Sequence, residues 1–294
     1  MRNWLLKLLV VLRFLPLPVL RGCGDGLGRL LWVFAKRRRH IVLTNLSLCF
    51  PNLDKDAKTQ LGKQHFIVVV QALLDRSWLW HAPQSVVRAR LNILGNTNSL
   101  ELLRTKSEEP HPVVIFAPHF VGLDAGWTAL GLDTPRELAT IFTQQSTAEM
   151  DDWVFAGRMR FGMVRLFRKI QGVTEIVRAL KRGAMLYLLP DMDFGAQDTV
   201  FATFYGQRAA TVTSLSRFSR VSKAKVLSVV TKLVPGGYEV RVSKVWDEFP
   251  TDDLQKDTQR MNYELEDLIQ TMPEQYYWVH RRFKTRPPGE ASLY

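Results

Sequence analysis

The sequence predicts an α/β protein, a mixed central sheet flanked by helices, with a helical first third and an N-terminal membrane-associated helix. Three observations carry this. Short apolar runs alternate with amphipathic segments after Pro110, apolar residues recur at three and four before it, and the first twenty residues are strongly apolar. At 294 residues the chain is one large or two small domains, long enough to bury a core.

Residues 1–20 read MRNWLLKLLVVLRFLPLPVL, broken by Lys7 and Arg13 and ended by Pro16 and Pro18. That is too interrupted for a clean spanning helix. On a helix, Trp4, Leu5, Leu8, Leu9, Leu12 and Leu15 share one broad face, which suits a helix lying in a membrane interface with its cations reaching the headgroups. Arg2 supplies the basic start of a signal peptide, but no small-residue cleavage site follows. A membrane-anchoring segment is therefore drawn over 1–22 and a second unit over 23–294. The basic run Lys36 to Arg39 favours a cytoplasmic, anionic membrane surface. Glycines 22, 24, 26 and 28 fit no nucleotide-binding loop and read as a flexible turn.

From Leu30 to Leu103 the pattern is helical, as in Phe66, Val69, Val70 and Leu73, with breaks at Pro51 and Pro83; the α/β core spans about 110–294. Within it, strands are expected at Val113–Ala117, Leu138–Phe142, Met163–Phe167, Ala184–Leu189, Lys225–Thr231 and Tyr238–Lys244. Helices are expected at Gly122–Leu130, Ala148–Gly157, Val173–Arg182, Val212–Val221 and Leu254–Thr271.

Forty Lys and Arg against 28 Asp and Glu leave a net charge of +12, a field that attracts nucleic acid, anionic lipid or acidic carrier proteins. Cys23 and Cys49 stand in no metal-binding spacing and read as small apolar fillers in a reducing compartment.

Three groups could do chemistry. Strand Val113–Ala117 runs into Pro118-His119-Phe120-Val121-Gly122-Leu123-Asp124. The ends of such strands collect ligand-binding groups, histidine is suited to accept a proton near neutral pH, and a carboxylate can orient it. Asp124 is expected to converge on His119 where the loop turns into a helix. Strand Ala184–Leu189 ends in Asp191-Met192-Asp193, a D-x-D that serves as a metal site, an arginine or substrate partner, or a turn. Arg158, Arg160, Arg165 and Arg168 form a basic group that would bind a phosphate or simply face solvent.

Several segments together resemble the lipid A biosynthesis acyltransferases, the late lauroyl and myristoyl transferases within the lysophospholipid acyltransferase superfamily. They are RRRHIVLTNLSLCFP (37–51), APHFVGLD (117–124), GRMRFG (157–162), PDMDFGAQDTVFATFYGQRAATVT (190–213) and EQYYWVHRRFKTRPPGE (274–290). The resemblance implies an enzyme of the bacterial inner membrane, active on its cytoplasmic face, moving a fatty acyl chain from an acyl carrier protein thioester to a hydroxyl of a phosphorylated glycolipid. It implies His119 as general base and Asp124 as the carboxylate that orients it. Arg158, Arg160, Asp191, Asp193 and Gly122 would contact substrate. Gly122-Leu123 replaces the Asn-Trp pair of many members, and Asp124 their Glu. The chemistry needs no covalent intermediate, metal or cofactor, because a thioester is already activated. Alternatives are acylation of a lysophospholipid, a D-x-D glycosyltransferase and a non-enzymatic basic membrane-binding protein. The aromatic and basic stretch Tyr276 to Lys284 reads as a packed terminal segment, and nucleic acid is not expected as a partner.

Overall fold

The computed structural model describes residues 3–107, 109–168 and 172–294; Arg2 and the side chains of Trp4 and Leu5, assigned above to the N-terminal helix and its basic start, lie outside what is described. The chain begins with helices α1 (Asn3–Leu12), α2 (Leu17–Phe34), α3 (Lys36–Cys49), α4 (Lys55–His81) and α5 (Gln84–Ala89). An unpredicted strand β1 (Leu91–Gly95) and helix α6 (Thr97–Arg104) follow. The core then alternates: β2 (Val113–Phe116), α7 (Leu123–Asp133), β3 (Leu138–Phe142), α8 (Ala148–Arg158), β4 (Val164–Arg168), α9 (Gly172–Lys181) and β5 (Met185–Leu188). It closes with the hairpin β6 (Thr199–Phe204) and β7 (Gln207–Val212), α10 (Ser214–Ser222), β8 (Lys225–Val234), β9 (Gly237–Val245) and α11 (Leu254–Gln270).

Seven strands form one sheet in the order β1-β9-β8-β2-β5-β3-β4. β8, β2, β5, β3 and β4 are parallel neighbours, and β9 with β1 runs the other way. The central strands β2 and β5 are buried at every position because helices cover both faces. From β2, Val114 and Phe116 join the core under α9 to α11, while Val113 and Ile115 join that under α4 and α7. The hairpin β6-β7 is a separate two-stranded ribbon. It turns through Tyr205 and Gly206, both at positive φ, the conformation that a two-residue hairpin loop demands.

Local chemistry sets the ends of the long helices. Asp54 caps α4 by accepting from the Ala57 N–H at 2.7 Å, and α4 stops before Pro83, whose predecessor is biased out of the helical region. Thr147 caps α8 and Asp253 caps α11 in the same way.

The glycine run is not a turn. α2 continues through residues 22–28 because it needs small residues where it crosses α4: a Cβ on Gly28 would fall 2.6 Å from the Ile67 Cα, and one on Gly24 2.8 Å from the Gln71 Cγ. The face that the sequence assigns to lipid is also divided. Leu9 is buried, and Leu12 and Leu15 pack against the core under α4 and α7. Leu8, Val11 and Phe14 of the same segment point outward with Val19, Leu27, Leu30, Leu31 and Phe34. Among the described residues no helix is long and apolar enough to cross a membrane.

Candidate active site

The parallel register brings the first two site residues together. Phe116 of β2 pairs with Leu188 of β5; His119 and Asp191 each lie three residues beyond, at the carboxyl ends of neighbouring strands, where α/β proteins place their ligands. The Ala117 N–H still donates to the Leu188 carbonyl at 2.9 Å, holding the two loops side by side. The Asp191 carboxylate then accepts the His119 main-chain N–H at 3.0 Å and meets the imidazole Nδ1 at 2.7 Å.

Asp191 is fully buried, whereas the His119 side chain is 19% exposed. Burial would push the Asp191 carboxyl up, but His119, through its charge and its hydrogen bonds, brings it below the ordinary value. An ionised Asp191 puts the proton of the neutral ring on Nδ1 and leaves the Nε2 lone pair available. Among the described residues no protein group is bonded to Nε2.

Asp124 goes elsewhere, which corrects the expected His119–Asp124 pair. In the first turn of α7 its two oxygens accept from Arg158 Nε at 2.8 Å and from an Arg76 terminal nitrogen at 2.7 Å. Burial opposes its ionisation, but Arg158 and Arg76 together hold the carboxyl below its usual range. The physical reason is geometric: a residue five positions on, inside a helix, points away from the loop, toward α8 and α4 instead.

Gly122 lies directly before α7, against β8; a Cβ there would fall 2.7 Å from the Thr231 carbonyl oxygen. Its visible role is to let α7 sit close to the sheet.

Among the described residues Asp193 pairs with no arginine. Its carboxylate accepts from the Thr285 N–H and hydroxyl at 2.6 and 2.8 Å and from the Gly195 N–H at 3.0 Å. Both acids of the D-x-D motif are thus satisfied by protein donors. The arginine group also separates. Arg160 donates to the Leu79 and Ala82 carbonyls, capping the carboxyl end of α4 as the helix dipole favours. Arg165 faces Glu175 and Arg168 faces Asp151. Arg158 alone joins Asp124.

The C-terminal stretch is packed: Tyr276, Trp278, Arg282 and Phe283 are buried. Arg282 donates to the Ala210 carbonyl and the Thr211 hydroxyl. Cys49 is buried as expected, but Cys23 is exposed on α2. Sequence reasoning missed Arg76, which sits in no motif, and the pairing of His119 with Asp191. Equal offsets past two strands were the available signal, usable only once those strands are known to be neighbours. A surface cavity beside Lys106, Arg136 and Arg182 lies near the amino ends of β3 and β5, away from His119.

A histidine held by a buried carboxylate at the end of a parallel strand is an arrangement that can accept a proton. Comparison with known proteins gives the chain its family. Residues 2–285 match the family model described as bacterial lipid A biosynthesis acyltransferase. The lipid A biosynthesis palmitoleoyltransferase of Escherichia coli strain K12 is 34% identical over 284 residues, 95% of this chain and 90% of that protein. The lauroyltransferase of the same strain is 31% identical over the same shares, and its myristoyltransferase 27% identical over 94% and 83%. The chain belongs to the bacterial lipid A biosynthesis acyltransferase family and is an acyltransferase.

Proposed function

We propose that this protein transfers a fatty acyl chain from an acyl carrier protein thioester to a hydroxyl of a phosphorylated lipid A precursor, at the cytoplasmic face of the inner membrane. The observation that carries the reading is the 2.7 Å contact of His119 Nδ1 with buried Asp191, which leaves Nε2 open. Nε2 takes the proton of the acceptor hydroxyl as its oxygen attacks the thioester carbonyl. Asp191 stabilises the imidazolium that forms, the carbon–sulfur bond breaks, and the imidazolium returns the proton to the departing thiolate. No side chain needs to be acylated, and no cofactor is required.

Asp124 holds Arg158 and Arg76 in place, and their remaining N–H groups suit the phosphate of the acceptor. The names of the relatives point to lipid A as the acceptor. The outward apolar side chains of α1, α2 and the turn between them, Phe14 in that turn at 73% exposure and Phe34 at 71%, suit attachment to the membrane surface, with Lys36 and Arg37 of α3 at the headgroups.

The test is transfer from acyl-loaded carrier protein to a purified lipid A precursor, read by mass spectrometry, with His119→Ala as the control. Loss of the added acyl mass in a folded, membrane-bound variant supports the reading, and full retention overturns it. Acylation of a lysophospholipid but not of the lipid A precursor would move the acceptor to that class, and abolition by EDTA would favour a D-x-D metal enzyme.

A further inference from the structure

The segment from Gln275 to Thr285 touches both loops of the site. Beside the first loop it forms a short antiparallel bridge between Phe120 and Tyr276. The Tyr277 N–H donates to the His119 carbonyl and the Val121 N–H to the Gln275 carbonyl, both at 2.9 Å. On the second loop, Thr285 binds the Asp193 carboxylate twice, and the Asp193 N–H donates to His280 Nε2 at 2.9 Å.

The segment is itself fixed at several points. Asn45 of α3, fully buried, donates to the Trp278 and His280 carbonyls, each at 2.7 Å. His65 of α4 is bonded to the Glu274 carbonyl at 3.0 Å. The Gln275 side chain exchanges both of its amide bonds with the main chain of Leu233 at the end of β8. Such a web is more than burying a terminus requires. It ties the main chain of the base to the loop that carries its carboxylate partner.

We infer that residues 275–285 are a positioning strap for the acyl transfer reaction, with Thr285 as its latch on Asp193 and hence on the loop that presents Asp191 to His119. This rests on the reading of His119 as the general base. A base displaced by about 1 Å loses rate without losing substrate affinity, so the strap is expected to act on kcat and not on KM.

The test compares Thr285→Val, which removes the hydroxyl donor at nearly constant shape, with Thr285→Ser, which keeps it. Acyl transfer from loaded carrier protein to the lipid A precursor is measured beside the thermal unfolding midpoint. The valine variant is expected to lose about 10- to 100-fold in kcat, with KM for both substrates within about twofold, and the serine variant to recover most of that. Unchanged kcat, a loss that tracks the folded fraction, a change confined to KM or failure of serine to rescue would each overturn the proposal. If Thr285→Val does not fold, Tyr276→Phe, which keeps the ring of the strap residue bridged to Phe120 but removes the hydroxyl bonded to Asp191, is read by the same kcat and KM criterion. Retention of full transfer by His119→Ala would remove the reading of the base itself, and that result is separate from all of these.

Discussion

The carboxyl end of the sheet and the α1–α2 layer are held by different physics. At the sheet end the polar groups of Asp191, Asp193, Asp124 and Gln275 are each assigned to a partner, and position is set by directional bonds. In the N-terminal layer α2 is seated by glycines against α4 on one side and carries large apolar side chains on the other. One region is built for geometry and the other for surface. Damage to the first should appear in the kinetics, as kcat or KM, and damage to the second in packing and attachment.

The largest effect is expected at the buried acid. Asp191→Asn keeps the shape but loses the charge that stabilises the imidazolium, and kcat should fall by about 10²- to 10⁴-fold. Asp124→Asn should separate from it. It leaves two arginines facing a neutral amide; because both are partly exposed, stability should fall by about 2–3 kcal/mol, less than for a fully buried pair. KM for the phosphorylated acceptor should rise more than kcat falls. Urea unfolding with steady-state kinetics checks both variants, and an exchange of their kinetic signatures would reverse the roles given to the two acids.

The junction of α4 with the strap gives a dependence on pH. Burial holds the His65 imidazole down at about 4 from its usual 6.5, against the raising effect of its bond to the Glu274 main chain. The unfolded chain takes this proton as pH falls through 6.5, while the folded chain refuses it until about 4. Stability is therefore complete above 6.5 and declines across that interval, by about 3 kcal/mol for a shift of this size. His280, held at about 4 chiefly by burial and the charge of His119, titrates in the same window. His65→Asn, which preserves an amide donor near the Glu274 carbonyl, should remove His65's share of the slope and leave the share of His280, as unfolding measured from pH 7 to 4 would reveal.

The smallest effects belong to the N-terminal layer, and there they should differ in sign. Gly28→Ala forces α2 off Ile67 and should cost about 1–3 kcal/mol. Gly26→Ala meets nothing within 4 Å and should stabilise by up to about 1 kcal/mol through helix propensity. Thermal unfolding of the two variants compares the buried and open faces of one helix directly.

The central strands and the helices between them were legible because their apolar periodicity reports burial directly: Leu138–Phe142 matches β3 in full, and Ala148, Lys225 and Leu254 begin the elements expected to start there. β1 was hidden because an edge strand of five residues, none of them fully buried, is too short for its alternation to be read. The hairpin β6-β7 carried its signal in the turn dipeptide Tyr205-Gly206, but lay inside a segment read as a motif. The glycines of α2 read as a turn because propensity is local, and the α4 surface that makes them necessary is some forty residues away.

By itself the sequence determined the fold class, the basic charge, the presence of His119 at a strand end and the family, since composition, periodicity and motif order are properties of the chain taken in line. Which carboxylate meets the histidine was decided only by tertiary structure. Asp191 is 72 residues from His119 along the chain and Asp124 five, but strand register and helix direction, not sequence distance, determine where a side chain points.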